Sequence, residues 1–143
     1  MNRQLAILHV EDDPITTVLV KKVFSVLGVS EFVSRPNGRV GLDYLIDRRT
    51  QSLPFPDIIL LDLNMPVLDG WGFLDGFRDN LCTDGLDIDI YICTSSNAPE
   101  DLMKAKEFSF VREFITKPLT VNMLSTLLEK RRQGAPHLKN ISQ

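Results

Sequence analysis

Ile58-Ile59-Leu60-Leu61-Asp62-Leu63-Asn64-Met65-Pro66 runs four apolar residues into a single carboxylate and then into a proline-marked loop. An unbroken apolar run of this length reads as a strand covered on both faces, which is the pattern of a parallel sheet. Such a strand does not finish on a bare Asp unless that Asp is hydrogen-bonded, paired or bound to a metal. Two other stretches are candidates to meet it. One is the acid cluster Glu11-Asp12-Asp13, the other the step Lys117-Pro118.

The segments on either side repeat one alternation. Residues 6–10 are a short, mostly apolar strand cut off by the acids. Asp13 is an N-cap and Pro14 a first helical residue, and Ile15, Val18, Leu19, Val23, Val26 and Leu27 recur at helical spacing up to Gly28. Residues 30–35 form a weaker strand, and Pro36-Asn37-Gly38 a turn. Residues 40–49 make a helix with Leu42, Tyr44, Leu45 and Ile46 inward. After the central strand, Asp69-Gly70 opens a third helix with Phe73, Leu74, Phe77 and Leu81 on one face. Residues 82–87 read as a long loop and 88–93 as a fourth strand, leading to Thr94-Ser95-Ser96. Pro99-Glu100-Asp101 starts a fourth helix with acids in its first turn, as the helix dipole prefers. Residues 112–116 are a fifth strand. Thr120 caps a fifth helix that runs through Arg132 with Leu124, Leu127 and Leu128 inward. The expected fold is α/β: a doubly wound, five-stranded parallel sheet flanked by five helices, of flavodoxin-like type.

Size and composition fit one domain. The 143 residues are 43% hydrophobic and 24% charged, enough for a core without staples. A net charge of -3 argues against a nucleic-acid partner, which calls for a basic face. No apolar run approaches the roughly 20 residues that span a bilayer. The start lacks a secretory pattern, so the expected address is cytoplasmic, without membrane attachment. Cys82 and Cys93 show no CxxC spacing and read as unpaired thiols in a reducing compartment, Cys93 as a small core residue.

In an open parallel sheet the ligand crevice lies at the carboxyl ends of the strands. Glu11 and Asp12 follow strand one, Asp62 ends strand three, Thr94 strand four and Lys117 strand five, so all five fall at one edge. Three neighbouring carboxylates repel, and full ionisation needs compensation. Their charge of -3 is balanced by Lys117 together with one divalent cation. Oxygen ligands without His or Cys select a hard ion such as Mg²⁺, which leaves positions for phosphate oxygens. A Lys and a Thr hydroxyl suit those oxygens, and a carboxylate can itself be a nucleophile. The residues therefore point to a Mg²⁺-dependent phosphoryl acceptor with Asp62 attacking.

Four pieces, in order, also carry a family resemblance. They are Val10-Glu11-Asp12-Asp13-Pro14, Leu61-Asp62-Leu63-Asn64-Met65-Pro66 with Asp69-Gly70, Cys93-Thr94-Ser95, and Thr116-Lys117-Pro118. Together they resemble a two-component response regulator receiver domain of the single-domain chemotaxis type, over residues 5–132. The resemblance implies Asp62 as phosphoacceptor and Asp12 as direct metal ligand. It implies Glu11 acting through metal-bound water and the Asn64 backbone carbonyl as a further ligand. Thr94 and Lys117 would bind the phosphoryl group, and the Lys117-Pro118 bond would be cis. Thr94 and Phe114 would form the switch; lacking a hydroxyl, Phe114 leaves its rotamer to packing. Asn64 and Ser96 flank the site where phosphoryl lifetime is tuned. The implied partners are a sensor histidine kinase or histidine phosphotransfer protein, and a target read through helix four, strand five and helix five. Residues 133–143 would be a disordered tail, with no output domain.

Other readings stand beside this one. The receiver could be a relay or phosphate sink that passes its group to a histidine phosphotransfer protein. An Asp-nucleophile phosphatase usually carries a second Asp two residues on, where this chain has Asn64. A flavin-binding protein needs a phosphate-cradling loop after strand one, which here is acidic. His9, inside a strand, reads as a core or sheet-face residue rather than a phosphoryl carrier. Trp71 reads as packing or partner surface, and Lys130-Arg131-Arg132 as a helix end that complements its dipole.

Overall fold

The computed structural model describes residues 4–81 and 85–134. Strands and helices alternate as β1 Ala6–Val10, α1 Pro14–Val26, β2 Glu31–Arg35, α2 Gly38–Thr50, β3 Ile58–Leu61, α3 Gly70–Asn80, β4 Asp89–Thr94, α4 Pro99–Ala105, β5 Val111–Thr116 and α5 Val121–Arg132. All pairings are parallel, in the order β2-β1-β3-β4-β5. The β1–β3 register sets Val10 beside Leu61, and the β3–β4 register sets Leu61 beside Ile92. The residues that follow these strands therefore meet at one edge. The expected parallel, doubly wound architecture is the one observed.

The two-residue period of the strands divides the core into two layers. Leu8, Val10, Ile59, Leu61, Ile90 and Ile92 face Leu42, Leu45, Phe73 and Phe77. Ile7, Ile58, Leu60, Tyr91 and Cys93 face Val20, Phe24, Leu124, Leu127 and Leu128. Fully burying one such side chain contributes about 1.5–3 kcal/mol. No helix among the described residues is long and apolar enough to cross a membrane.

Helix boundaries follow local chemistry. Asp13, Asn37, Asp69 and Thr120 each accept a backbone N–H of their own first turn, from Ile15, Val40, Gly72 and Met123. Such a cap contributes about 1 kcal/mol. α2 starts two residues earlier than its apolar pattern suggested, because Asn37 supplies the cap.

Two expectations need correction. Only part of the apolar series assigned to α1 faces the core: Val23 and Leu27 are half-buried against it. Val20 and Phe24 are buried, whereas Ile15, Val18, Leu19 and Val26 are 60–78% exposed. α1 carries apolar residues around most of its circumference, so spacing alone does not choose a face. The sheet chooses, with Phe24 packing 5.9 Å from Phe32. The basic end of α5 does more than complement a dipole. Arg131 is buried and turns back beneath the sheet to Asp57, Asp87 and Asp89. Cys82, part of the 82–87 loop and most of the 133–143 tail lie outside the described residues.

Candidate functional site

Asp62 leaves β3 with its backbone N–H bonded to the Val10 carbonyl (3.0 Å), so β1 still holds it in register. Its Oδ1 accepts the Leu63 N–H at 2.9 Å. The next turn of chain folds back closely: Gly70 N–H donates to the Leu63 carbonyl at 2.9 Å. A Cβ on Gly70 would lie 2.4 Å from the Asp62 carbonyl oxygen, so only glycine fits. Between them Leu68 N–H reaches the Pro66 carbonyl at 2.7 Å, closing a γ-turn around Val67 at φ 69°. That conformation is strained for a β-branched residue, and it lies on the loop beside Asp62. Asn64 is exposed on the same loop.

Three carboxylates gather here. One oxygen each from Glu11, Asp12 and Asp62 lies within 4.8 Å of the others. Glu11 and Asp62 are buried and Asp12 is exposed. Glu11 Oε2 accepts the Asp13 N–H at 3.1 Å, while Asp13 spends its own side chain on capping α1. Lys117 Nζ lies 2.6 Å from Glu11 Oε1 and 3.6 Å from Asp62 Oδ1. Lys117 is placed by its own N–H, bonded to the Thr94 carbonyl at 2.8 Å, and the Lys117-Pro118 bond is cis. Thr94 is fully buried at the end of β4, and its hydroxyl oxygen accepts the Ser96 N–H at 3.2 Å.

The electrostatics show a site short of positive charge. Burial, followed by the neighbouring acids, raises the Asp62 and Glu11 carboxyls above their ordinary values despite Lys117. Burial works against the Lys117 ammonium, but Glu11 and Asp62 outweigh it and hold its pKa above the usual lysine value. The three carboxylate oxygens are donors of the hard type that a divalent cation such as Mg²⁺ prefers.

The sheet edge thus brings together Glu11, Asp12, Asp62, Thr94 and Lys117. Phe114 lies two residues before the end of β5, half-buried against the layer formed by Leu8, Ile59 and Ile92. His9 is buried edge-on to Phe32, and burial, aided by the charge of Lys117, lowers its pKa to about 4, so it is neutral at pH 7. One feature is absent from the sequence reading. Ser96 Oγ donates to Asp101 Oδ2 at 2.5 Å and accepts the Ala98 N–H at 3.2 Å. The signal was a helix that opens on Ala98, a residue unable to cap, with a serine just upstream.

The family model described as response regulator receiver domain matches residues 7–129. The chain is 28% identical over 125 residues to a probable methanogenesis regulatory protein, FilR2, of Methanothrix harundinacea, covering 87% of this chain and 79% of that protein. Several longer relatives are matched over only 7–54% of their length. Among solved structures, a two-component response regulator from Cytophaga hutchinsonii superposes with a TM-score of 0.81 at 27% identity, over 92% of this chain and 99% of that one. The Mn²⁺-bound form of response regulator Rcp1 superposes with a TM-score of 0.67 at 26% identity, over 87% and 89%. The order and register of the strands, the acids at their carboxyl edge and the match across residues 7–129 lead to one assignment: the chain belongs to the response regulator receiver domains of two-component systems.

Proposed function

We propose that this receiver accepts a phosphoryl group on Asp62 from the phosphohistidine of a sensor histidine kinase or a histidine phosphotransfer protein. The observation that carries the reading is the placement of Asp62. It is buried at the end of β3, within 4.8 Å of two further carboxylates and 3.6 Å from the one lysine. Glu11, Asp12, Asp62 and the Asn64 carbonyl would hold Mg²⁺, with Glu11 acting through water, and the Mn²⁺-bound form of Rcp1 supports a divalent ion in a related protein. Bound there, the cation would offset the crowded negative charge and polarise the phosphoryl oxygens.

The chain's own groups do the rest by position. Oδ1 of Asp62 is held by the Leu63 N–H and faced by Lys117, so Oδ2 is assigned to attack phosphorus. As the new O–P bond forms, the P–N bond breaks and its electron pair returns to the donor imidazole. Lys117 turns from Glu11 towards the incoming oxygens, and the Thr94 hydroxyl donates to another. The chain is itself the modified product, and no small-molecule turnover is part of the reading.

The donor must reach Asp62 across the rim of the site. That rim carries the apolar face of α1 left uncovered by the sheet and a groove of about 390 Å³ lined by Thr16, Leu19, Val20, Ser95, Lys117 and Pro118. We assign it to the phosphodonor protein, because the groove is apolar, includes the exposed Leu19 and is bordered by Lys117 of the site. The same rim serves transfer in the opposite sense, so a relay to a phosphotransfer protein is the second reading. The phosphorylated state would be read at α4, β5 and α5; between β5 and α5, Phe114, Met123 and Leu127 line a groove of about 520 Å³.

Acetyl phosphate with Mg²⁺ is expected to add one phosphoryl group to the wild type and none to Asp62→Asn, measured by intact mass. Equal labelling of both proteins would sink the proposal. Return of the group from the labelled chain to purified phosphotransfer domains separates the relay from a terminal regulator.

A further inference from the structure

We propose that Ser96 and Asp101 form a latch through which helix α4 senses the Thr94 hydroxyl, and that Trp71 reports its release. This rests on Asp62 being the phosphoacceptor. Thr94, Ser96 and Asp101 are linked without a gap: Ser96 N–H to Thr94 Oγ1 at 3.2 Å, then Ser96 Oγ to Asp101 Oδ2 at 2.5 Å. The same Ser96 oxygen accepts the N–H of Ala98, the residue at which α4 begins.

α4 depends on this tie more than the other helices depend on theirs. It has seven residues and its N-cap side chain makes no capping bond. Only Ala105 is buried along it, while Leu102 and Met103 are 47% and 64% exposed. A helix this short draws its stability from its ends and its packing rather than from its own backbone. A charge-assisted hydrogen bond to Asp101 is therefore a large share of what fixes its first turn.

The Thr94 hydroxyl can donate to one group while it accepts from another, so its two uses compete through its position. In the structure it accepts from the Ser96 backbone. A phosphoryl group on Asp62 adds strong acceptor oxygens at the end of the neighbouring strand. A Thr94 rotamer that donates to them withdraws its oxygen from Ser96 N–H. The Ser96 turn then loses its inner anchor, and its outer bond to Asp101 carries the change into α4.

The far end of α4 already holds a sensor. Lys104 Nζ sits 4.8 Å from the centroid of the Trp71 ring, and Trp71 stacks on Phe108 at 6.1 Å. Trp71 is the only tryptophan in the chain, so its emission isolates this contact.

The test treats the full chain with acetyl phosphate and Mg²⁺ and reads intact mass and Trp71 emission on the same samples. Wild-type emission is expected to change in proportion to the labelled fraction. Asp101→Ala is expected to accept the phosphoryl group as the wild type does, but to lose most of the emission step, because the link from Ser96 to α4 is cut. Asp101→Asn keeps an acceptor for the Ser96 hydroxyl and is expected to restore most of the step. Ser96→Ala, which removes the latch from its other side, is expected to show the same small step per labelled molecule as Asp101→Ala. A wild-type step in labelled Asp101→Ala or Ser96→Ala overturns the latch, as does a labelled wild type whose emission stays constant. Absence of label in the wild type overturns the phosphoacceptor reading and the latch together.

Discussion

At the scale of single residues, burial decides what each reactive group can do. Cys93 is 2% exposed, and burial pushes its thiol up to about 12, with Glu11 and Asp62 adding to the effect against Lys117. The raised value fixes a sign. The thiol deprotonates more readily in the unfolded chain, so its contribution to stability is complete below pH 9 and is lost as pH rises towards 12. Native protein at pH 8 is expected to leave Cys93 unalkylated by iodoacetamide while urea-unfolded protein reacts, as peptide mapping would show; rapid native labelling would refute the assignment. The sequence already placed Cys93 in an apolar run, and Asp62, Thr94 and Lys117 at strand ends, since each follows from its local neighbours. It did not show that a Cβ on Gly70 would come within 2.4 Å of the Asp62 carbonyl oxygen, because that contact joins the β3 end to the start of α3 across a folded loop.

At the scale of elements, legibility followed how one-sided each pattern was. In α3 and α5 the inward series Phe73, Leu74, Phe77, Leu124, Leu127 and Leu128 is buried as expected, with Val121 and Met123 exposed outside it. α1 offers apolar residues on more than one face, and the sheet and α5 that it packs against select Val20 and Phe24. Arg131 was opaque for another reason, since its partners are 42 to 74 residues away in sequence. It sits 3.3 Å from Asp57 and 3.1 Å from Asp87, and its partner Asp89 is also met by Arg112 at 3.3 Å. Removing one member of a buried ion cluster leaves its counter-charges without full compensation, at a cost of about 3–5 kcal/mol. Arg131→Ala is expected to lose stability towards the lower end of that range, because Arg112 remains, and the urea midpoint would measure it. A midpoint within experimental error of the wild type would show that the cluster does not anchor α5.

At the scale of the whole molecule, the sheet has two charged ends of opposite character. At the amino ends of β3 and β4, Arg131 and Arg112 answer the buried acids. At the carboxyl ends three acids share Lys117. The second end is therefore where added cation should stabilise the fold. A ligand that binds only the folded chain at 100 times its dissociation constant contributes about 2.7 kcal/mol. Mg²⁺ is expected to raise the thermal midpoint of the wild type, EDTA to reverse the rise, and Asp12→Ala to lose most of it. An equal rise in that variant would remove Asp12 from the ligand set. The position of Lys117 has a further consequence, for selectivity between two acids. Glu11 and Asp62 are both buried in one pocket, and either is chemically able to form an acyl phosphate. Lys117 stands off-centre, a full ångström nearer Glu11 than Asp62. In the resting site it occupies Oε1 of Glu11 while the Asp13 N–H occupies Oε2, so the proposed transfer to Asp62 would begin with both oxygens of its neighbour already engaged.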